Sequence, residues 1–424
     1  MEKYIVRTKY LESLKAVQAK NLIKVITGVR RCGKSVLMEQ FQEHLKNTGV
    51  RQKQIISLNF EKLENEELLD YRKLHDYVAN QLNKNGWTYV FLDEIQMVDN
   101  FQKTVDSLHT KKNVDIYITG SNSYLLSGEL ATLLSGRYVQ IHILPLSFAE
   151  FFQAKKIKDT KSTFAEYLKF GSFPQILELD SQKTIYDYLD SIYSAIVVKD
   201  IMARGKTINE NILTSILKFL FHNIGSEVSS VNIVNTLKSN KREVSYNTVE
   251  KYLKYLKDSF IIYEVSRYDV KGKQHLKQNA KYYAVDIGLR NMLLANKETD
   301  IGHVLENIVY LELLRRGYKI SVGKIENKEV DFVVENENGK EYYQVASSLL
   351  DKNTLERELE PLNRIHDHFS KSIITLDDFT AGKTYNGVRV IHAIEFLLAD
   401  AGEAAGKPKK DSKHFSAIKL KTKN

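Results

Sequence analysis

Between residues 28 and 35 the chain reads Gly-Val-Arg-Arg-Cys-Gly-Lys-Ser, two glycines, a lysine and a hydroxyl at a spacing suited to holding phosphate. Phosphate oxygens need several converging backbone N–H groups. Gly28 and Gly33 permit the tight path that turns those groups inward at a helix N-terminus. Arg30, Arg31, Cys32 and Val36 complete the expected cradle. Lys34 is expected to reach the β- and γ-phosphates of ATP, and the Ser35 hydroxyl to ligate Mg2+.

Three further points belong to the same chemistry. Tyr89-Val90-Phe91-Leu92 runs into Asp93 and Glu94, and a buried strand seldom ends in two carboxylates without a cation or water to bind. Asp93 is expected to hold Mg2+ through its water shell and Glu94 to orient an attacking water as general base, which favours hydrolysis over binding alone. Gly120-Ser121-Asn122-Ser123 puts a small polar side chain, Ser121 or Asn122, where a γ-phosphate could be sensed. A helix N-cap at Ser121 or Ser123 accounts for that pattern equally well. Arg137 could place a guanidinium on the transferred phosphate, in its own subunit or a neighbour's, or form a structural salt bridge.

These residues require strands and helices in a fixed order. Apolar runs at 22–27, 54–60, 88–93, 115–120 and 138–144 alternate with helical patterns. Such alternation predicts an α/β domain with a parallel sheet wrapped on both faces and loops at the strand C-terminal ends. After Pro145 the pattern becomes mostly helical, with Gly171 and Pro174 marking a bend. Residues 228–240 and 245–260 predict two helices, followed by strand-like runs around a basic turn, which is winged-helix order. On the second helix Val249, Leu253, Leu256 and Phe260 share a core face, whereas Asn247, Lys251 and Lys254 lie opposite. Lys271, Lys273 and Lys277 fall on the expected wing. Residues 301–398 predict a further small α/β unit, and 401–424 a flexible basic tail.

The net charge of +9 is concentrated. Residues 228–284 hold eleven Lys and Arg against five acids, and 401–424 hold seven Lys against two. That pattern suits DNA or RNA, and equally suits lysines that merely solubilise. Cys32 is the single cysteine, which excludes an internal disulfide and a cysteine-rich metal site. With no long apolar span and no signal-like start, a cytoplasmic protein without membrane contact is expected.

Together GVRRCGKS, FLDEIQ, ITGSNS, SGRYVQIHILPLSFAEF and FGSFP resemble the bacterial and archaeal AAA+ family ATPases with a C-terminal domain of unknown function, over about residues 5–398. The resemblance implies an AAA+ P-loop domain (1–160), a helical and winged-helix region (161–295) and a restriction-endonuclease-like α/β domain (296–400). It supports Gly33, Lys34, Ser35, Asp93, Glu94 and Arg137 in the roles above. A nuclease of that fold pairs a helix glutamate with Asp and (Glu or Gln)-x-Lys on strands. Glu306, Asp331 and Gln344 fill three places, but Ala346 stands where the lysine belongs. An inactive remnant is therefore expected. The readings in play are a nucleotide-driven switch on nucleic acid or a protein, an ATP-regulated nuclease, and a non-enzymatic nucleotide-gated scaffold. Many AAA+ proteins form rings, so an oligomer is compatible with all three.

Overall fold

The structure is a computed structural model that describes residues 5–121, 136–155, 159–202, 208–272, 274–295, 300–337 and 339–399. Asn122, Ser123, Lys273, the Lys277 side chain and the basic tail lie outside the described residues.

Helix α1 (Thr8–Ala16) leads into β1 (Ile23–Thr27), followed by α2 (Lys34–Asn47), β2 (Ile55–Asn59), α3 (Tyr71–Asn80), β3 (Thr88–Asp93), α4 (Phe101–His109), β4 (Val114–Gly120) and β5 (Tyr138–His142). The five expected strands are all present and form one parallel sheet in the order β2-β3-β4-β1-β5. Strand periodicity splits its side chains between two cores. Ile23 and Val25, with Ile116 and Ile118, join one apolar cluster, while Ile26 and Tyr117 join another on the opposite face. Lys24 and Asp115, both fully buried, neutralise each other across the paired strands β1 and β4.

Past the sheet, Ser147 caps α5 (Phe148–Ala154): its Oγ accepts from the Glu150 N–H at 3.0 Å, and the Glu150 carboxylate accepts from Ser147 N–H at 2.8 Å. Next come α6 (Thr160–Phe170) and α7 (Gln182–Ala195), which continues into one wide π turn, Ile196–Ile201. Then follow α8 (Glu210–His222), β6 (Glu227–Val228), α9 (Ser230–Ser239), α10 (Tyr246–Asp258) and the hairpin β7 (Ile262–Asp269) and β8 (Gln274–Ala284). Each of α7 to α10 begins at a Ser or Asn cap, at Ser181, Asn209, Ser229 and Ser245.

The chain closes with α11 (Ile287–Leu293), α12 (Ile301–Arg315), β9 (Lys319–Ile325), β10 (Lys328–Asn336), β11 (Gly339–Ala346), α13 (Lys352–Asn363), β12 (Ser370–Thr375), β13 (Thr384–Tyr385), β14 (Val388–His392) and α14 (Ala393–Leu398). One nine-stranded sheet spans residues 227–392 in the order β13-β14-β12-β11-β10-β9-β7-β8-β6. The hairpin that carries the expected wing is thus interior to that sheet. The outer edge of β7 pairs with β9 (Tyr268 opposite Gly323), satisfying backbone groups that an isolated hairpin leaves to solvent. Strands on both sides of the expected boundary between 295 and 296 accordingly belong to one sheet.

Candidate functional site

The phosphate-loop backbone is dictated by close approaches. A Cβ on Gly28 would lie 2.3 Å from the carbonyl oxygen of Ile143, and Gly33 holds φ +102° as it caps α2, so both positions demand glycine. The first N–H groups of α2, from Lys34 on, have no partner four residues back within the helix, as at any helix N-terminus. Lys34 is 4% exposed, and its Nζ donates to the carbonyls of Gly28 (3.1 Å) and Val29 (3.3 Å) and lies 3.6 Å from Glu94 Oε1. Burial opposes its charge, but Glu94 and neighbouring negative groups outweigh it and push its pKa above the usual lysine range. Arg7, buried beneath the loop, donates to the carbonyls of Cys32 (3.1 Å) and Leu144 (2.9 Å) and pairs with Glu150 at 2.8 Å. The Cys32 thiol is buried and pushed up, so it stays protonated and serves as packing.

At the end of β3, Asp93 accepts from Asn59 Nδ2 (2.8 Å) and Thr119 Oγ1 (2.5 Å), and the Ser35 hydroxyl bonds the same carboxylate. Burial holds its pKa above the usual range despite those bonds. A cation at this place would remove that penalty. Mg2+ commonly binds through one or two carboxylates plus waters and phosphates, so the Ser35 and Asp93 pair fits it without a larger acid cluster. Among the described residues no group of three or more His, Cys, Asp or Glu is arranged to hold a metal. Glu94 adopts φ +54°, with its N–H donated to Thr119 Oγ1 at 2.9 Å and its Oε2 accepting from Gln96. Burial works against its charge, but Lys34 and Arg30 outweigh it and draw its pKa below the ordinary range. Glu94 is therefore a buried, ionised carboxylate, the protonation state in which it can accept a proton.

Ser121 is fully buried at the end of β4, beside the loop, and its Oγ donates at 3.0 Å to Asp200 on the π turn. Asp200 also accepts from Arg30 Nε at 2.9 Å, while Arg30 Nη1 reaches Glu61 at 3.1 Å. Burial, only partly countered by Arg30, holds the Asp200 carboxyl above its usual range. Arg31, by contrast, is exposed at φ +64°, and Val36 is half-buried. Arg137 is placed apart from the loop. It precedes β5, which runs parallel to β1, so it stands at the strand N-terminal edge, about 16 Å along the strands from the loop. There it pairs with Asp106 at 2.6 Å. A role on the phosphate of its own chain is thereby corrected: strand direction sets Arg137 on the wrong edge. Local periodicity carried no sign of Arg7, Asn59, Thr119 or Asp200, because each joins the site through distant segments.

The C-terminal acids do assemble. Lys281 Nζ, 4% exposed on its side chain, lies 3.0 Å from Glu306 Oε1, 2.7 Å from Glu329 Oε1 and 3.6 Å from Asp331 Oδ1. Tyr283 Oη donates to Glu306 at 2.7 Å, and Gln344 donates to Glu358 at 2.9 Å. Burial first, then Glu306, pushes Asp331 well above the usual range. Ala346 is buried among apolar side chains. On α10, Val249, Leu253 and Leu256 are buried and Asn247, Lys251 and Lys254 are exposed, as the periodicity predicted, whereas Phe260 is buried but lies past the helix end, at φ +57°. Lys271 is exposed, but the turn it occupies is tied down by Val270 N–H to Lys324 O at 2.9 Å.

The five-stranded parallel sheet with its phosphate loop defines a P-loop ATPase fold of the AAA class. The AAA domain family model (AAA_14) matches residues 20–152, and a domain of unknown function, DUF8612, matches residues 161–300. An uncharacterized protein of Haemophilus influenzae is 41% identical over 407 residues, covering 93% of this chain and 98% of that protein. Another, from Methanocaldococcus jannaschii, is 33% identical over 381 residues, covering 84% and 83%. The chain belongs to the family of these AAA-domain proteins. Among solved structures, a Walker-type ATPase of Pyrococcus abyssi is similar at 15% identity and TM-score 0.46, over 69% of this chain and 96% of that one. Among the described residues no helix is long and apolar enough to cross a membrane.

Proposed function

We propose that this protein hydrolyses ATP with Mg2+ and works as a nucleotide-driven switch on nucleic acid. The observation that supports this most is the ionised Glu94 beside Lys34, with Asp93 joined to the Ser35 hydroxyl at the same strand end. In this reading Gly28, Arg30, Arg31, Cys32, Gly33, Lys34, Ser35 and Val36 surround the phosphates, and Ser35 and Asp93 hold Mg2+. When bound, the ion neutralises charge on the β- and γ-phosphate oxygens. Glu94 orients the attacking water and accepts its proton. Arg137 is placed to serve only a neighbouring copy of the chain. Phosphate release tests the reading: Glu94→Gln is expected to lower the rate by about 10²–10⁴-fold while nucleotide still binds. Equal, negligible rates in wild type and variant would sink hydrolysis and favour a nucleotide-gated scaffold.

The exposed Asn247, Lys251 and Lys254 face of α10 is the proposed contact with duplex DNA or RNA, within a winged-helix region spanning 161–295. Affinity for duplex DNA is expected to fall steeply with salt and to weaken in the Lys251→Glu, Lys254→Glu double variant. Binding indifferent to both points instead to a protein partner. For residues 296–400 we favour an inactive restriction-endonuclease-like domain, because the carboxylates a catalytic metal would need are engaged by Lys281. DNA cleavage with Mg2+ or Mn2+ that Asp331→Ala abolishes would reverse that view.

A further inference from the structure

A buried carboxylate from outside the five-stranded sheet enters the nucleotide site. Asp200, 2% exposed, stands on the π turn that extends α7, and Ile196, Val197 and Ile201 of that turn are seated in the main apolar core. Wide turns of this kind re-aim a side chain, and they recur at functional positions. Here the turn delivers one oxygen to Arg30 Nε at 2.9 Å and the other to Ser121 Oγ at 3.0 Å. Arg30 lies within the phosphate loop. Ser121 follows β4, whose last residue, Gly120, pairs with Thr27 at the loop's entrance. A guanidinium and a hydroxyl converging on two oxygens of one anion is the arrangement a terminal phosphate also uses.

We propose that Asp200 is a positioning residue that stands in for the γ-phosphate: it occupies Arg30 and Ser121, the donors a nucleoside triphosphate takes, and a bound triphosphate releases it together with turn 196–201. A diphosphate, lacking that phosphate, leaves the pairings intact. The two nucleotides then stabilise different arrangements of the same turn, which is what coupling requires. The chain continues from Asp200 to α8 and the module that bears α10, so the release reports nucleotide state to that module. This inference rests on the nucleotide-binding reading of the loop.

The test uses the full-length protein with a non-hydrolysable ATP analogue and with ADP. Asp200→Asn keeps the side-chain shape and removes the competing charge. It is expected to bind the triphosphate analogue about tenfold more tightly than wild type, with ADP affinity changed less than about twofold. A second measurement needs no variant: in wild type the triphosphate analogue, but not ADP, is expected to speed amide hydrogen exchange at residues 196–202. Equal effects of Asp200→Asn on both nucleotides, or exchange at 196–202 indifferent to the γ-phosphate, overturns the proposal while leaving the nucleotide site intact. A wild type that binds neither nucleotide overturns the nucleotide reading and this one with it.

Discussion

Lys34 and Lys281 are both nearly buried among carboxylates, yet their surroundings differ in kind. Lys34 shares its ammonium with one carboxylate at 3.6 Å and two loop carbonyls, at the N-terminus of α2. Its field, joined to that of the helix end, still favours an incoming polyanion. Lys281 is ringed by Glu306, Glu329 and Asp331, and Tyr283 supplies a further donor to Glu306. With three carboxylates to one ammonium that cluster keeps an acidic surplus, so it ties β8 to α12 and β10 instead of attracting phosphate. The lesson is that a buried lysine is informative only with its partners counted.

The contrast can be broken by substitution. Lys281→Met is expected to cost about 3–5 kcal/mol in chemical denaturation, because it strands three carboxylates without their cation. A neutral result would show that the three carboxylates do not depend on Lys281 and would end the contrast. Lys34→Ala is expected to weaken nucleotide binding by about a hundredfold, roughly 2.7 kcal/mol, when titrated directly. Its stability cost without nucleotide should be smaller than that of Lys281→Met, since Arg30 stays near Glu94.

A gentler probe lies between the two sheets. His142 Nδ1 meets Thr27 Oγ1 at 3.1 Å, and its Nε2 meets Tyr263 Oη at 2.7 Å. Burial, aided by Lys34, lowers the His142 pKa to about 4 from 6.5. The unfolded chain therefore binds the proton first as pH falls, so stability present above pH 6.5 is lost progressively toward pH 4. The loss is at most about 3 kcal/mol, and His142→Gln should flatten this part of the stability profile against pH.

Much of the first sheet was legible because its signals are local. The five strands show as β-branched runs, and the loop, Asp93 and Glu94 sit at strand ends that periodicity alone locates. What escaped was set by long-range geometry. Asp200 is 170 residues from Arg30, and Lys281 is 25 from Glu306 on a different element; no window of sequence joins either pair. Arg137 was legible as an arginine but not as lying on the far edge, since that depends on β5 running parallel to β1. The outer edge of the hairpin was illegible for a related reason: composition describes a hairpin, not which neighbour claims its outer edge.

That shared edge matters for deletion mapping. A chain cut at residue 295 would keep β7 and β8 but lose β9, leaving the β9-facing edge of Arg267 to Asp269 unpaired, and would strip Lys281 of all three carboxylates at once. An open strand edge beside an orphaned ammonium invites self-association. The phenotype of such a deletion would report a wounded sheet, whatever the missing segment does, so the segment is better interrogated by point substitutions on its surface than by removing it.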